Sequence, residues 1–437
     1  MNYLTRNIDS TLIGWKRSTT RKPLLLRGAR QIGKTATARS LCSTFKHSVE
    51  INFERQPELH RLFEQNLDPK RIIRGLELHS KTKIEAGKSI LFFDEIQQCP
   101  KALSSLRYFY EEIPELHMIA AGSLLEFVLD EISFPVGRIH SEFMYPLSFT
   151  EYLRAMGDEA LIEFIPHFPF GRHIEPNVIA TDKLRGSLRD YFLVGGMPKA
   201  VSTYKETGSF LDVANIHEDL LQSYGDDIRK YAKGEKQLLN CGETFTRLFN
   251  QVGKQIKYSQ LMVGEDVKRT KKSLQLLEQA MVIHLVRNVN PQGLPLGASA
   301  NDKQFKIVFL DIGLGQRAVG RNISNYDSSD DLLNLYHGQL AEQFVGQQLL
   351  AESVSASENR KVYFWMRTEK SASAEVDYLI VRNGKIIPIE VKSGKSGSLK
   401  SMHLFLKAFG GSGVCLQDRE SIETNLNLSF APIYTLL

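Results

Sequence analysis

A glycine-rich segment near the N-terminus carries residues that could bind phosphate. Residues 28–35 read GARQIGKT and match the pattern G-x-x-x-x-G-K-[ST] in full. Gly28 and Gly33 permit a tight loop whose backbone N–H groups can point at phosphate oxygens. Lys34 can then bridge the β- and γ-phosphates, while the Thr35 hydroxyl can ligate Mg²⁺. The segment therefore predicts a nucleoside triphosphate site, the alternative being a glycine turn that happens to carry Lys-Thr.

An acidic pair, Asp94 and Glu95, follows an apolar run further along the chain. The run Ser89–Phe93 has the unbroken apolar character of a strand that is buried on both faces. A carboxylate at the end of such a strand can hold the water bound to Mg²⁺, and the next carboxylate can polarise the attacking water. We therefore assign Asp94, with Thr35, to Mg²⁺ and Glu95 to catalysis. An acidic pair that only begins a loop is the alternative.

Ser123 and Arg138 are further candidates for contact with the same phosphates. Ser123 follows an apolar run that predicts a strand, so it could sense the γ-phosphate or could cap the helix predicted over Leu124–Leu129. Arg138 is a candidate arginine finger, because a cation there would neutralise charge developing on the γ-phosphate; the alternative is a solvated surface arginine. The predicted catalytic residues are Lys34, Glu95 and Arg138. The predicted nucleotide-binding residues are Gly28, Ala29, Arg30, Gln31, Ile32, Gly33, Lys34, Thr35, Ala36, Asp94 and Ser123.

The elements predicted around these residues alternate between strand and helix, which is typical of an α/β fold with a parallel sheet. The predicted strands are Pro23–Leu26, His47–Phe53, Ser89–Phe93 and His117–Ala121. The extra strand before the Asp94 strand, together with Glu95, points to AAA+-like ATPases rather than to kinases or GTPases. No [NT]-K-x-D segment that would read guanine is present. We therefore expect adenine as the base, and ATP with Mg²⁺ as the bound cofactors.

The composition is ordinary for a globular protein. The 437 residues suffice for two to four domains, and a net charge of +5 permits a nucleic-acid partner without requiring one. The four cysteines are scattered without a C-x-x-C pair and therefore indicate neither a zinc site nor a disulfide framework. The sequence has no cleavable signal pattern and no apolar run of membrane-spanning length. We expect a cytoplasmic protein without a membrane partner.

The region from residue 241 to residue 325 has the outline of a winged helix. Predicted helices over Glu243–Val252 and Asp266–Gln279 precede predicted strands over Val282–Arg287 and Phe305–Leu310. The second helix carries a basic cluster that would suit DNA phosphates. Its members are Lys268, Arg269, Lys271 and Lys272. DNA contact is one interpretation, and a surface for a partner protein or another domain is the alternative.

The C-terminal region places acidic residues on a predicted helix and a predicted hairpin. An Asn-Gly pair between two strand-like runs is a strong hairpin signal, and it would set Asp377 and Glu390 across from one another. Two carboxylates and a lysine can hold Mg²⁺ and activate water for phosphodiester cleavage. The candidate nuclease site consists of Glu342, Asp377, Glu390 and Lys392. An active nuclease and an inert nuclease-like fold are both compatible with these residues.

Nearly the whole chain resembles a family of bacterial and archaeal AAA+-like ATPases with a C-terminal domain called DUF4143. The resemblance rests on GARQIGKT, ILFFDEIQ, AAGSLLEF, YPLSFTEYL, YFLVGGMP, FLDIGL, GQLAEQFV, EVDYLI and IEVKSG. It implies a Walker B pair at Asp94 and Glu95 and PD-(D/E)xK nuclease-like positions at the four C-terminal residues. The implied domains are an ATPase domain at 1–160, a helical linker region at 161–240, a winged helix at 241–325 and a nuclease-like domain at 326–437.

Two functional hypotheses follow from these observations. In the first, ATP hydrolysis controls a DNA-binding C-terminal module that could also cleave DNA. In the second, the chain is a nucleotide-switched binding protein with slow hydrolysis and an inactive nuclease-like fold. The partners considered are ATP, DNA, a protein bound by the winged helix and further copies of the same chain.

Overall fold

The structure, a computed structural model, forms two compact units. The first unit contains the residues up to Tyr145 together with Gln279–Met281, and the second contains Pro146–Glu278 and Val282–Leu437. The described residues are 3–125, 137–170, 177–231, 247–256, 258–261, 267–319, 338–352, 361–369, 372–392, 399–419 and 422–437. No helix within these ranges is both long and apolar enough to cross a membrane.

A parallel sheet forms the centre of the first unit. Its strands are β1 (Leu24–Arg27), β2 (His47–Asn52), β3 (Ser89–Asp94), β4 (His117–Ala121) and β5 (His140–Phe143). Across the described part of this unit they lie in the order β2-β3-β4-β1-β5, and each neighbouring pair is parallel. Strands β3 and β4 are buried along their whole length, as expected of apolar runs in the middle of such a sheet. The predicted α/β fold with a parallel sheet is confirmed.

Helices connect and cover the strands of the first unit. They are α1 (Ile8–Arg17), α2 (Lys34–Cys42), α3 (Pro69–Ser80) and α4 (Pro100–Glu112). Helix α2 begins at the end of the phosphate-binding pattern, so its N-terminus faces the same loop. Because all the strands are parallel, the residues that follow β1, β3 and β4 meet at one edge of the sheet. That edge holds the candidate nucleotide site.

The second unit begins with a helical segment. Its helices are α5 (Phe149–Met156), α6 (Val178–Val194), α7 (Pro198–Thr207) and α8 (Phe210–Tyr231). Helix α5 starts with a capping box, in which the Ser148 side chain accepts from the Glu151 N–H and the Glu151 carboxylate accepts from the Ser148 N–H. The turn between α6 and α7 is formed by two glycines that approach other backbone segments closely.

The two glycines of this turn, Gly195 and Gly196, have no room for a side chain. The Gly196 N–H donates to Asp311 Oδ2 at 2.6 Å, and the Leu147 N–H donates to the Gly196 carbonyl at 2.7 Å. A Cβ on Gly196 would lie 2.1 Å from the Leu147 carbonyl oxygen, far inside van der Waals contact. Gly195 has a φ of +70°, a conformation that favours glycine. This turn therefore depends on both glycines.

Replacing Gly196 with alanine should destabilise the second unit by about 2 kcal/mol, the usual cost of forcing atoms into a packed site. The matched control is Gly186→Ala on α6, where an added Cβ meets nothing within 4 Å. That control should be neutral or slightly stabilising, because alanine is the better helix former. The measurement is the midpoint of thermal unfolding. Equal midpoints for the two variants would contradict the close approach at Gly196.

A mixed sheet dominates the rest of the second unit. Its strands are β6 (Ile283–Asn288), β7 (Asn301–Phe309), β8 (Tyr363–Glu369), β9 (Ala372–Arg382), β10 (Lys385–Val391), β11 (Gly413–Gln417), β12 (Glu423–Asn425) and β13 (Leu428–Pro432). Among the described residues they lie in the order β12-β13-β11-β10-β9-β8-β6-β7. The accompanying helices are α9 (Tyr258–Leu261), α10 (Val267–Gln279), α11 (Ile312–Ala318), α12 (Gly338–Ala351) and α13 (Lys400–Phe409).

The two strands predicted as the wing of a winged helix belong to this larger sheet. Strand β6 pairs with β7 on one side and with β8 on the other, where Arg287 lies beside Tyr363. Adjacent residues on both strands are buried, for example Leu285 with Val286 and Ile307 with Val308. An exposed two-stranded wing would bury only alternate residues. The sheet therefore extends across the boundary that we predicted between residues 325 and 326.

The helical part predicted for the winged helix is only partly visible. Helix α10 coincides with the predicted second helix, and α9 lies within the segment before it. Residues 243–246 of the predicted first helix lie outside the described residues. The same holds for 126–129, which make up most of the helix that Ser123 was expected to cap.

Candidate nucleotide site and C-terminal acidic cluster

The phosphate-binding loop depends on backbone conformations that glycine allows. Gly28 has a φ of +148° and Gly33 a φ of +99°. A Cβ on Gly28 would lie 2.5 Å from the Met144 carbonyl oxygen, so the loop passes too close to that segment for any side chain there. Gly33 is the N-cap of α2, which brings the helix N-terminus and its free N–H groups to the loop. The sequence pattern thus folds into a loop that is shaped to receive an anion.

Lys34 lies at the centre of this loop and is buried. Its ammonium group donates to the carbonyl oxygens of Gly28 at 2.9 Å and Ala29 at 2.6 Å. Burial lowers the pKa of Lys34 to about 8, although the nearby carboxylates of Glu95 and Asp94 act in the opposite direction. An arriving phosphate would favour the charged ammonium and raise this pKa again.

Nucleotide binding should therefore take up a proton above pH 8. Below pH 8 Lys34 is already charged. Above pH 8 a rising fraction of the protein molecules must gain a proton at Lys34 for the phosphates to bind. Affinity should fall by up to about tenfold per pH unit in that range. Titration calorimetry at pH 9 in buffers of different ionisation enthalpy would measure the uptake; the phosphates themselves titrate well below this range. An absence of proton uptake at pH 9 would contradict the lowered pKa.

Asp94 connects the phosphate-binding loop to the neighbouring strand. Its Oδ1 accepts from the Thr35 hydroxyl at 3.0 Å, and its Oδ2 accepts from the Asn52 amide at 3.0 Å. Burial raises the pKa of Asp94, while these two hydrogen bonds oppose that change. Asn52 pairs with Asp94 in the register of β2 and β3. We did not predict Asn52 from the sequence, although it ends the strand next to Asp94.

Glu95 is held by two neighbours beside Asp94. Its Oε2 accepts from the Gln97 amide at 2.5 Å and from the Ser123 hydroxyl at 3.5 Å. Glu95 has a φ of +50°, an uncommon conformation for a residue with a side chain. Gln97 is also confined, because a Cβ on Gly122 would lie 2.5 Å from its Oε1. The structure thus brings Ser123 to Glu95 and adds Gln97, which the sequence analysis did not single out.

Arg138 lies at the other end of the sheet from these residues. It precedes β5, whose first residue His140 pairs with Leu24 at the start of β1, whereas the phosphate-binding loop follows the end of β1. Its guanidinium forms an ion pair with Glu111 near the C-terminus of α4, at 2.8 Å. The structure therefore does not place Arg138 at the phosphate-binding loop of its own chain. The direction of β5, which the sequence alone did not define, decides this.

A second cluster of ionisable residues lies in the mixed sheet. Lys306 on β7 is 1% exposed, and its Nζ lies 2.7 Å from Glu342 Oε1 and 3.2 Å from Asp377 Oδ1. The carboxylate of Glu375 is a third partner of the same ammonium. Burial alone would lower the pKa of Lys306, but the three carboxylates outweigh it and hold the pKa well above its ordinary value. Neither Lys306 nor Glu375 was among the residues predicted for this site.

The other predicted residues of the C-terminal site lie next to this cluster. Lys392 Nζ contacts Glu390 Oε1 at 2.5 Å, and the Val391 N–H donates to Asp377 Oδ2 at 2.8 Å. Burial raises the pKa of Glu390 to about 7, with a further contribution from the Asp377 charge. The structure therefore brings together Glu342, Asp377, Glu390 and Lys392, but places the ammonium of Lys306 among the carboxylates.

Three segments of the chain match known protein families. Residues 20–153 match the AAA domain, and residues 337–434 match a domain of unknown function, DUF4143. Residues 185–325 match a further domain of unknown function, DUF8612. The chain thus contains an AAA domain and a DUF4143 domain. The parallel sheet and loop described above are those of a P-loop ATPase, and this fold indicates nucleotide binding and hydrolysis.

Solved structures also resemble this AAA–DUF4143 protein. A Walker-type ATPase of Pyrococcus abyssi has 15% sequence identity and a TM-score of 0.46, over 72% of this chain and 96% of that chain. A structure concerned with katanin self-assembly has 16% identity and a TM-score of 0.27, over 46% of this chain and 66% of that chain. No curated protein matches the sequence.

Two side chains at the candidate nucleotide site are suitable ligands for Mg²⁺. The Thr35 hydroxyl and the Asp94 carboxylate are hard oxygen ligands that already lie 3.0 Å apart. In this site a bound Mg²⁺ would neutralise negative charge on the phosphates. The Asn52 amide, by holding the second oxygen of Asp94, orients the carboxylate for that role.

Replacing Asn52 with alanine should raise the Mg²⁺ concentration needed for half-maximal ATP hydrolysis by roughly tenfold or more. The cause is that Asp94 loses the donor that orients it. Gln56→Ala is a suitable control, because Gln56 accepts from the Asn52 backbone N–H but makes no contact with Asp94 in the hydrogen bonds described. A Mg²⁺ dependence unchanged from the wild type would show that Asn52 has only a structural role in its turn.

The AAA–DUF4143 protein also presents a basic helical surface. On α10 the residues Thr270, Ser273, Leu274 and Leu277 are buried. The basic residues Lys268, Arg269, Lys271 and Lys272 are all exposed. Helix α10 therefore has one buried face and one face that carries positive charge.

Proposed function

We propose that this protein hydrolyses ATP at the phosphate-binding loop and uses its nucleotide state to control DNA binding by its second unit. The observation that supports hydrolysis best is the meeting of Lys34, the Thr35–Asp94 pair and Glu95 at one sheet edge. These groups supply a phosphate counter-charge, hard oxygen ligands for Mg²⁺ and a carboxylate base within one site.

Each residue has a distinct role in the proposed reaction. The N–H groups of the loop and the start of α2 bind the phosphate oxygens, and Lys34 exchanges its bonds to the Gly28 and Ala29 carbonyls for bonds to the β- and γ-phosphates. Glu95 orients the attacking water and accepts its proton as the bond from that water to the γ-phosphorus forms. The bond from the γ-phosphorus to the bridging oxygen of the β-phosphate breaks in the same reaction, and ADP leaves with the electron pair of that bond.

Glu95 must change partners before it can act as the base in this scheme. Its Oε2 already accepts from Gln97 and Ser123, so these donors occupy the oxygen that would bind the attacking water. A γ-phosphate beside Ser123 would compete with Glu95 for the serine hydroxyl. This competition would remove one of the two hydrogen bonds that Glu95 Oε2 accepts. Through Ser123, the presence of the γ-phosphate would then make Glu95 available as the base.

The DNA-binding part of the proposal rests on the exposed basic face of α10. Clustered lysine and arginine side chains on one helix face can neutralise DNA phosphates and release counterions. The cluster consists of Lys268, Arg269, Lys271 and Lys272, on a face opposite to the buried residues. A surface for a partner protein is the competing role of the same face.

The experiment measures ATPase rate and DNA affinity together. The variant replaces Lys268, Arg269, Lys271 and Lys272 with alanine; the control removes four exposed basic residues elsewhere, Lys70, Arg74, Lys83 and Lys205. DNA binding is followed by fluorescence anisotropy at several salt concentrations, with ATP, with ADP and without nucleotide.

We expect the α10 variant to bind DNA more weakly. The slope of log affinity against log salt concentration should become smaller in magnitude by about one for each lost phosphate contact. The control should retain the wild-type salt dependence. Wild-type affinity should differ between ATP and ADP, and DNA should accelerate ATP hydrolysis. Equal losses in both variants, or an affinity indifferent to nucleotide, would overturn the DNA proposal and favour the binding of a protein partner.

A second candidate function is that of a nucleotide-switched binding protein whose nuclease-like site is inactive. The observation that favours it is the ammonium of Lys306 among the carboxylates of that site. In this case ATP hydrolysis is slow, and the nucleotide mainly selects between conformations. A hydrolysis rate below detection, combined with tight ATP binding, would distinguish it from the first candidate.

A further inference from the structure

The Lys306 ammonium lies within contact of three carboxylates in the second unit. It lies on β7, in a run FKIVFL whose other residues are apolar and buried. Its side chain is 2% exposed, and its partners come from α12, which carries Glu342, and from β9, which carries Glu375 and Asp377. A lysine this deeply buried requires such compensation.

The carboxylates around Lys306 are those that a nuclease would need for its metal ion. Divalent cations of this type take carboxylate oxygens that converge from different elements, at about 2.1 Å for Mg²⁺. Here Glu342 Oε1 and Asp377 Oδ1 converge on an ammonium nitrogen at 2.7 Å and 3.2 Å instead. Among the described residues, no group of three or more histidine, cysteine, aspartate or glutamate side chains is arranged to hold a metal ion. The residues present therefore do not fit the metal that a nuclease fold would imply.

The Lys306 ammonium and a divalent metal ion cannot bind these carboxylate oxygens at the same time. A metal ion bound to the same two oxygen atoms would lie within a few ångströms of Nζ, in a region shielded from water, where like charges repel strongly. Lys392 does not relieve the conflict, since its ammonium is engaged by Glu390.

We propose that Lys306 is the permanent cation of the C-terminal site, that this site accordingly binds no divalent metal and cleaves no DNA, and that removing the Lys306 ammonium converts the cluster into a divalent-cation site. In the variant the freed oxygens of Glu342, Glu375 and Asp377 lack a counter-charge. Glu390 adds a buried oxygen, Oε2, that has no hydrogen-bond partner among the described residues. An incoming Mn²⁺ or Mg²⁺ would restore the charge balance.

The test is the stoichiometry of Mn²⁺ binding to the full chain without nucleotide, measured by electron paramagnetic resonance. The proteins are the wild type, Asp377→Asn, Lys306→Ala and the double variant Lys306→Ala/Asp377→Asn. We expect wild type and Asp377→Asn to bind Mn²⁺ equally. Lys306→Ala should bind one additional Mn²⁺ per chain, and the double variant should lose it. Circular dichroism verifies that each variant is folded.

Three results would overturn the proposal. The first is Mn²⁺ binding by the wild type that Asp377→Asn abolishes, and this comparison remains decisive even if Lys306→Ala does not fold. The second is a folded Lys306→Ala protein that binds no additional ion. Cleavage of plasmid or single-stranded DNA by the wild type, lost in Asp377→Ala and kept in Lys34→Ala, would also overturn it. None of these outcomes depends on ATP hydrolysis.

Discussion

Replacing Glu95 with glutamine is expected to slow ATP hydrolysis by roughly 10²–10⁴-fold while leaving ATP affinity near that of the wild type. Glutamine keeps the size and the hydrogen-bonding oxygen of the side chain but cannot accept a proton from water. The contacts of the loop with phosphate, which involve Lys34 and the N-terminus of α2, are unaffected. Single-turnover hydrolysis and the binding of a fluorescent ATP analogue measure the two quantities separately.

The control for this prediction is Glu111→Gln on α4, an exposed carboxylate that pairs with Arg138 and Arg107 away from the loop. Glu111→Gln should leave both the hydrolysis rate and the ATP affinity unchanged. The described contacts place Glu111 near the edge of the sheet opposite to the phosphate-binding loop. Wild-type turnover by the Glu95→Gln protein would mean that another residue is the base. A large loss of affinity would instead assign Glu95 to binding.

Replacing Lys34 with alanine should weaken ATP binding by roughly 100-fold or more, equivalent to about 3 kcal/mol, which is typical for the loss of charge-assisted hydrogen bonds. The buried ammonium is the main side-chain counterpart of the phosphate charge in the loop. Hydrolysis should be lost with it. The measurement compares the equilibrium affinity for ATP with that for adenosine. Adenosine lacks phosphates, so its affinity should change little in the variant.

Lys22→Ala provides a comparison for the Lys34 prediction, since this lysine lies before β1, at the other end of that strand from the loop. Its removal also lowers the net charge by one unit, so any general electrostatic effect on ATP appears in both variants. Affinity retained in Lys34→Ala would disprove the phosphate-binding role of the loop. The expected order of affinity is wild type and Lys22→Ala together, well above Lys34→Ala.

That Lys34, Thr35, Asp94 and Glu95 lie together could be predicted because the signals for the candidate nucleotide site are local. The loop pattern and the acidic pair are each contained in a few consecutive residues, and a parallel sheet brings the ends of their strands together. Asn52 and Gln97 are different. Asn52 reaches Asp94 through the register of β2 and β3, and Gln97 reaches Glu95 through a turn with an unusual backbone conformation. Neither property is visible in the residue types alone.

The C-terminal cluster was predicted incompletely for a related reason. The four predicted residues lie in the part of the chain after residue 326, whereas Lys306 comes from a strand that we assigned to a separate winged helix. The run FKIVFL did contain a signal, since a single lysine among buried apolar residues requires a charged partner. What the sequence did not reveal is that β6 and β7 join the sheet that contains the partners.

The path of the mixed sheet has a practical consequence for fragments of this protein. A fragment that begins near residue 326 would lack β6 and β7 and would leave one side of β8 unpaired, which favours aggregation. It would also keep Glu342, Glu375 and Asp377 while losing Lys306. Such a fragment could acquire metal ions, and even cleave nucleic acid, as an artefact of truncation. Biochemistry on the isolated domain would then describe an activity that the intact chain does not have.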